Sequence, residues 1–257
     1  TANASATYAG GANHTGSTNN KNFTIDKATP TATLAVTNLP QTYDGAAKAA
    51  TVGVTVSSTP GGVANIMTGG VATQTNAGTY AVTANFVPTD TANYNTVLAL
   101  AAGNFVIDKA ASTTVVTCPS NVTYTGSPLT PCTAVVTGVG GLNQSVTVSH
   151  TNNTNAGTAN GSATFAGGAN HNGSNDSKNF TIDKAASVTT VTCPANVTYS
   201  GLAQTPCTAA ATGAGGLNEV LTVSYTSNIN AGTANASATY AGGANHTGST
   251  NNKNFTI

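Results

Sequence analysis

The sequence predicts an all-β protein assembled from tandem antiparallel β-sandwich modules in a linear array. Three observations carry that expectation. First, the chain repeats itself. Residues 1–25, TANASATYAGGANHTGSTNNKNFTI, recur letter for letter at 233–257, and an edited copy at 158–182 keeps 19 of the 25 letters. Second, short runs rich in Val, Thr and aromatics alternate with Gly, Asn and Pro, and no stretch shows the 3.6-residue apolar period of a helix. Third, charged residues make up 5% of the 257 residues, far below the usual share of about a quarter. An array of near-identical units adds length rather than new chemistry, which is the sequence form of a stalk or fibre.

The phrase NFTI or NFVI recurs at Asn22, Asn104, Asn179 and Asn254, in steps of 82, 75 and 75 residues. The larger repeat is therefore 232 residues, one longer module followed by two shorter ones. Residues 1–26 read as the closing strands of a preceding, incomplete module. Complete modules are expected at 27–108, 109–183 and 184–257, with the whole a window on a longer array. The joints are short. IDKA runs almost directly into the next strand, with no Gly/Ser spacer to loosen it.

Within the second module the expected strands are Thr113–Cys118, Asn121–Thr125, Cys132–Thr137, Ser145–Ser149, Thr158–Phe165 and Lys178–Ile182. Alternation is clear in SVTVS, where Val146 and Val148 share a face, and in KNFTI, where Phe180 and Ile182 do. Such short strands in a small module suit a two-layer sandwich. In the first module Asn76-Ala-Gly-Thr-Tyr80 precedes the strand AVTANF. It looks like the tyrosine corner of immunoglobulin-type (Ig-like) domains, in which the Tyr hydroxyl ties back to upstream backbone. The later modules keep the Asn-Ala-Gly-Thr turn at Asn155 and Asn230 but place Ala159 and Ala234 in the Tyr slot.

The turn Tyr43-Asp44-Gly45, the NAGTY phrase and the segment ATYAGGANHTGS at Ala6–Ser17 and Ala238–Ser249 resemble the Ig-like, mostly-β (MBG, YDG-type) tandem modules of large bacterial surface proteins. Those modules commonly carry an Asp after the first Gly. Gly11, Gly168 and Gly243 stand there instead, so a cation site resting on that Asp is not expected. The resemblance implies an extracellular adhesin or fibre stalk and specifies no ligand.

The four cysteines are regular. Cys118 and Cys132 are 14 apart, as are Cys193 and Cys207, and each pair flanks a Tyr-x-Gly turn. Zinc would want four ligands at CxxC-type spacing, which is missing. Two buried thiols per module are one alternative; an intramodule disulfide is the expectation. It would close a loop of about 15 residues, worth roughly 3 kcal/mol. A small sandwich with few aromatics needs such a staple, and the staple implies an oxidising, extracytoplasmic compartment.

Other chemistry is sparse. His14, His171 and His246 follow Ala-Asn at equivalent places and read as solvated loop residues rather than a metal array. Asp26, Asp108 and Asp183 sit at the joints beside a Lys, too few carboxylates for calcium. Glu219 is the only Glu, and no Ser–His–Asp set recurs, so neither an enzyme nor a cofactor is expected. Asn-x-Ser/Thr sequons are dense, and Asn13, Asn121, Asn172, Asn196 and Asn245 are glycosylation candidates. There is no Arg, the formal net charge is zero, and nothing resembles a nucleic-acid footprint or a membrane span. The expected partners are further copies of the chain, head-to-tail and laterally. Two routes would give such a fibre: a chain that runs on, or exchange of residues 1–25 between subunits. A surface or glycan ligand held by the loops is the alternative function.

Overall fold

The computed structural model describes all 257 residues and is all-β, with 21 strands and two single 3-10 turns. The strands run in order as β1 (Ala2–Tyr8), β2 (Ser17–Phe23), β3 (Ala32–Val36), β4 (Gln41–Thr42), β5 (Val52–Ser57), β6 (Gly61–Thr68), β7 (Gly78–Pro88) and β8 (Val97–Asp108). Then come β9 (Ser112–Thr117), β10 (Asn121–Thr123), β11 (Thr133–Gly138), β12 (Leu142–Ser145), β13 (Val148–Thr151), β14 (Gly157–Phe165) and β15 (Ser174–Asp183). Last are β16 (Ser187–Thr192), β17 (Thr208–Gly213), β18 (Leu217–Leu221), β19 (Ser224–Thr226), β20 (Thr233–Tyr240) and β21 (Ser249–Thr256). They divide into two compact units, Thr1–Ala110 with Ala169–His171, and Ala111–Gly168 with Asn172–Ile257.

The first unit opens with the hairpin β1–β2, which pairs Ala2 with Phe23 through Tyr8 with Ser17. Its sequence twin β20–β21 has the same register, Ala234 with Phe255 through Tyr240 with Ser249. The rest of the unit holds a two-stranded sheet, β3–β5, and a four-stranded sheet, β4-β8-β7-β6, in which β4 runs parallel to β8. The alternation of strand side chains turns Val82 and Ala84 on β7, and Phe105 and Ile107 on β8, toward Leu34 and Val52 of the smaller sheet. Phe86 and Phe105 are fully buried. The core of this unit mixes large residues (Leu34, Tyr43, Phe105, Ile107) with four alanines.

The second unit uses one layout twice. In its first half the sheet β9-β11-β12 and the sheet β10-β15-β14-β13 share a core of Val116, Ala134, Ala159, Ala163, Phe180 and Ile182. In the second half β16-β17-β18 and β19-β20-β21 enclose Val191, Ala209, Ala234, Ala236, Ala238 and Phe255. Strand β10 lies parallel to β15, and its counterpart is reduced to a single parallel bridge, Asn196 with Thr256. Alanine supplies three of the seven buried residues of the first core and four of the seven of the second, and each such position removes less apolar area from water than a Val or Phe would.

One strand differs from expectation. SVTVS is not continuous: β12 ends at Ser145 and β13 begins at Val148. The break is where the chain leaves the β11 sheet for the β14 sheet. Val146 and Val148 both still pack on the core, because the crossing runs along its edge. The tyrosine corner forms in the first unit, where the Tyr80 hydroxyl donates to the Asn76 carbonyl at 2.8 Å.

Candidate functional site

The disulfides join Cys118 to Cys132 and Cys193 to Cys207, each with a Cα–Cα distance of 4.3 Å, and no cysteine is free. Each ties the end of one strand to the entry of another: β9 to β11 in the first half and β16 to β17 in the second. The sulfurs border the alanine-containing cores, and neighbours are cut small to admit them. A Cβ on Gly161 would lie 2.8 Å from the Cys132 Sγ. The Cys207 amide donates to the Tyr225 hydroxyl at 2.8 Å, while the Cys132 amide points at His150 Nε2 at 3.4 Å.

A second constellation is built twice from three phrases that the sequence repeats. In the first unit, the turn Asn76-Ala77 and the turn Tyr43-Asp44-Gly45 meet the triplet Ala169-Asn170-His171. The Ala77 amide donates to Asn170 Oδ1 at 2.8 Å, and Asn170 Nδ2 donates to Asn76 Oδ1 at 3.0 Å. The Asn170 carbonyl accepts from the Ala110 amide at 2.9 Å. The His171 ring meets the edge of Tyr43, centroids 5.3 Å apart and planes at 78°. Asp44 stiffens the receiving turn: Lys48 and the Ala46 amide both donate to its carboxylate. The Lys48 bond first, then the Ala46 amide, hold the Asp44 carboxyl below its ordinary range.

Within the second unit the same arrangement recurs at 124–126, 155–156 and 245–246. The Ala156 amide donates to Asn245 Oδ1 at 2.9 Å, and Asn245 Nδ2 donates to Asn155 Oδ1 at 3.1 Å. The Ala185 amide donates to the Asn245 carbonyl at 2.9 Å, and the Thr247 amide returns a bond to the Ala185 carbonyl at 2.9 Å. The His246 ring sits 5.4 Å from that of Tyr124 at 82°. His246 Nε2 also lies 2.9 Å from the Ala214 carbonyl, which anchors the ring to the 3-10 turn Ala214–Gly216. That turn packs directly on the Tyr124-Thr-Gly126 turn. A Cβ on Gly126 would fall 2.3 Å from the Gly215 Cα, and both glycines have positive φ, +89 and +65. The constellation thus joins residues of the expected second module to those of the third.

One expectation is corrected here. His171 and His246 are not solvated: each is 7% exposed. The edge of a Tyr ring covers each, and at His246 the Gly213 backbone also lies against the ring. His14 alone of the three is exposed. Among the sequons, both ends of the Asn245 carboxamide are engaged in the joint. Of the other sequons, Asn13 and Asn196 are exposed, Asn121 donates to the Asp183 carboxylate at 2.6 Å, and the Asn172 carbonyl accepts from the Ser112 hydroxyl. No group of three or more His, Cys, Asp or Glu converges on a point that could hold a metal ion. No helix is long and apolar enough to cross a membrane. No protein-family model, no curated protein and no solved structure matches the chain.

Proposed function

We propose that the chain is a stretch of an extracellular structural repeat protein, made of tandem Ig-like sandwich modules that form a stalk or filament and give reach and cohesion at a cell surface. The observation that carries this reading is the joint. One set of side chains, Asn on the Asn-Ala turn and His on the Tyr-x-Gly turn, is spent twice on holding successive segments of chain together. A repeat whose conserved-in-copy loops are consumed in this way gains stiffness rather than a binding pocket. The two disulfides favour an oxidising, extracytoplasmic setting. The resemblance to bacterial Ig-like surface modules points the same way.

Small-angle scattering on the full chain tests the reading. Three stiffly joined modules of about 30 Å each have a radius of gyration of about 27 Å, whereas a compact chain of this length has one of about 18 Å. A value at the compact end would overturn the stalk. A second reading, glycan binding by loops, is favoured by one observation. Two open polar recesses, of about 410 and 340 Å³, recur at Asn152–Thr158 and Ser227–Thr233. Glycan-array binding that disappears on substituting Asn153 and Asn228 would move the function there.

A further inference from the structure

We infer that Asn172 is a site of spontaneous covalent modification, at which the Gly173 backbone nitrogen closes on the Asn172 carboxamide and water opens the resulting imide to aspartate or isoaspartate. The inference goes beyond the stalk reading and does not rest on it.

Two asparagines in the chain precede a glycine, Asn160 and Asn172, and both stand in the same triplet, Asn-Gly-Ser. Their local chemistry is alike, and the fold separates them. Asn160 lies inside β14, paired with Thr151 on one side and Asn179 on the other. Gly161 is buried, and it pairs with His150 and Lys178 of the same two flanking strands. The Asn160 carboxamide donates to Asn179 Oδ1 at 2.8 Å. An imide cannot close there until the strand opens, because closure turns the backbone out of the extended geometry that the two ladders need. Asn172 and Gly173, by contrast, are both exposed. They follow the bridge between His171 and Ala110, precede the start of β15 at Ser174, and belong to no strand.

The glycine is fixed by packing. A Cβ on Gly173 would lie 2.8 Å from the Phe165 carbonyl oxygen, as it would on Gly16 against Tyr8 (2.8 Å) and on Gly248 against Tyr240 (2.9 Å). Those twin loops place Thr15 and Thr247 before the glycine, and Thr has no carboxamide to attack. The loop at 172–173 alone joins the unhindered nitrogen to an electrophilic side chain. The Ser112 hydroxyl donates to the Asn172 carbonyl at 2.7 Å. That carbonyl shares its peptide bond with the attacking nitrogen, so the donor sits where charge develops as the Gly173 N–H loses its proton. In the step, a bond forms between the Gly173 nitrogen and Asn172 Cγ, and the Cγ–Nδ2 bond breaks. The Gly173 amide proton leaves with Nδ2 as ammonia. Water then adds to one of the two imide carbonyls. Addition at Cγ breaks the new bond and gives aspartate. Addition at the main-chain carbonyl breaks the original peptide bond and gives isoaspartate. Nothing is oxidised or reduced, and water is the only co-reactant.

Peptide mapping by mass spectrometry reads this out. The full chain, with its disulfides intact, is incubated near neutral pH in heavy-oxygen water and then digested in acid, where ring closure is slow. The Asn172 peptide should gain a labelled carboxyl with time, as a mixture of aspartate and isoaspartate. Asn160 should react at least about tenfold more slowly, since its strand must open first. Asn172→Thr, which copies the twin loops, should abolish the mark. In denaturant no strand protects either site, and Asn160 and Asn172 should react at similar rates. A folded chain in which Asn160 reacts as fast as Asn172 overturns the inference, as does a difference between the two that persists in denaturant. It is overturned equally if Asn172 stays intact in the folded chain while the denatured chain reacts, or if Asn172 carries a glycan, which occupies the nitrogen that must leave. None of these results touches the stalk reading, which stands or falls on the radius of gyration of the single chain.

Discussion

Replacing Asn245 by Ala should open the joint in the second unit without melting either half. The side chain makes two hydrogen bonds, one from the half-buried Ala156 amide and one to the exposed Asn155 carboxamide. A bond of the first kind contributes about 1 kcal/mol and the exposed one less, so the loss is roughly 1.5 kcal/mol. That corresponds to about a tenfold shift of the joint toward its open form. The Tyr124–His246 edge contact, worth about 0.5–1.5 kcal/mol, stays in place. Amide hydrogen exchange by NMR is the direct assay. The informative amide is Ala156, which donates across the joint to the Asn245 side chain, and the control amides are Ala185 and Thr247, whose bonds lie within residues 184–257. The Ala156 amide should exchange about tenfold faster, while core amides such as Ala236 and Phe255 keep wild-type rates. Unchanged exchange at Ala156 would refute the reasoning. Uniform acceleration through residues 184–257 would do so as well, since it would make Asn245 a support of the core rather than of the joint.

Gly126→Ala and Gly201→Ala impose the same backbone cost of about 1–2 kcal/mol at positive φ, but only the first drives a Cβ into the Gly215 backbone. Residual dipolar couplings should report altered orientation of 184–257 for Gly126→Ala and wild-type values for Gly201→Ala. Reducing the disulfides should lower the melting temperature of the second unit by more than about 10 °C, from roughly 3 kcal/mol per bridge. Calorimetry should show the transition of the first unit unmoved, since residues 1–110 hold no Cys. The Val116 amide, donating at 2.8 Å, is the main cause of a lowered Asp176 carboxyl. A lowered carboxyl stabilises the fold above the ordinary Asp range and loses that contribution as pH falls through the folded value. An acid melt below about pH 4 should therefore release the Val116 amide to exchange. Asp176→Asn, which keeps the accepting oxygen, should not show that step.

The strands and the staples were legible in the sequence because their causes are local. Alternation in KNFTI places Phe180 and Ile182 inward, and the equal spacing of the cysteines reflects one loop closed twice. The corner at Tyr80 was legible for the same reason, since its acceptor lies four residues away. The joint was not. His246 and Asn245 are polar residues in a polar loop, and what buries them is a Tyr and an Ala amide far upstream. The available signal was that Tyr-x-Gly, Asn-Ala-Gly and Ala-Asn-His recur together in 109–183 and 184–257 with no local partner for any of them. SVTVS misled because alternation records which side chains face a core. It does not record that the backbone changes sheets between Val146 and Val148.

The shared register of β1–β2 and β20–β21 has a consequence for how the chain must fold. A hairpin that takes its register from its own 25 letters forms early, since its contacts are short-range. It then carries no information about which core it should close. The hairpin β14–β15, with 19 of the same 25 letters, competes for the same place. Such a chain is exposed to misassembly between neighbours, the usual failure of near-identical tandem domains. Order of synthesis limits the damage for β14–β15, because β9 to β13 precede it and are the first partners it meets. Refolding from denaturant removes that protection. It should yield a larger fraction of wrongly paired species than emergence from the ribosome does.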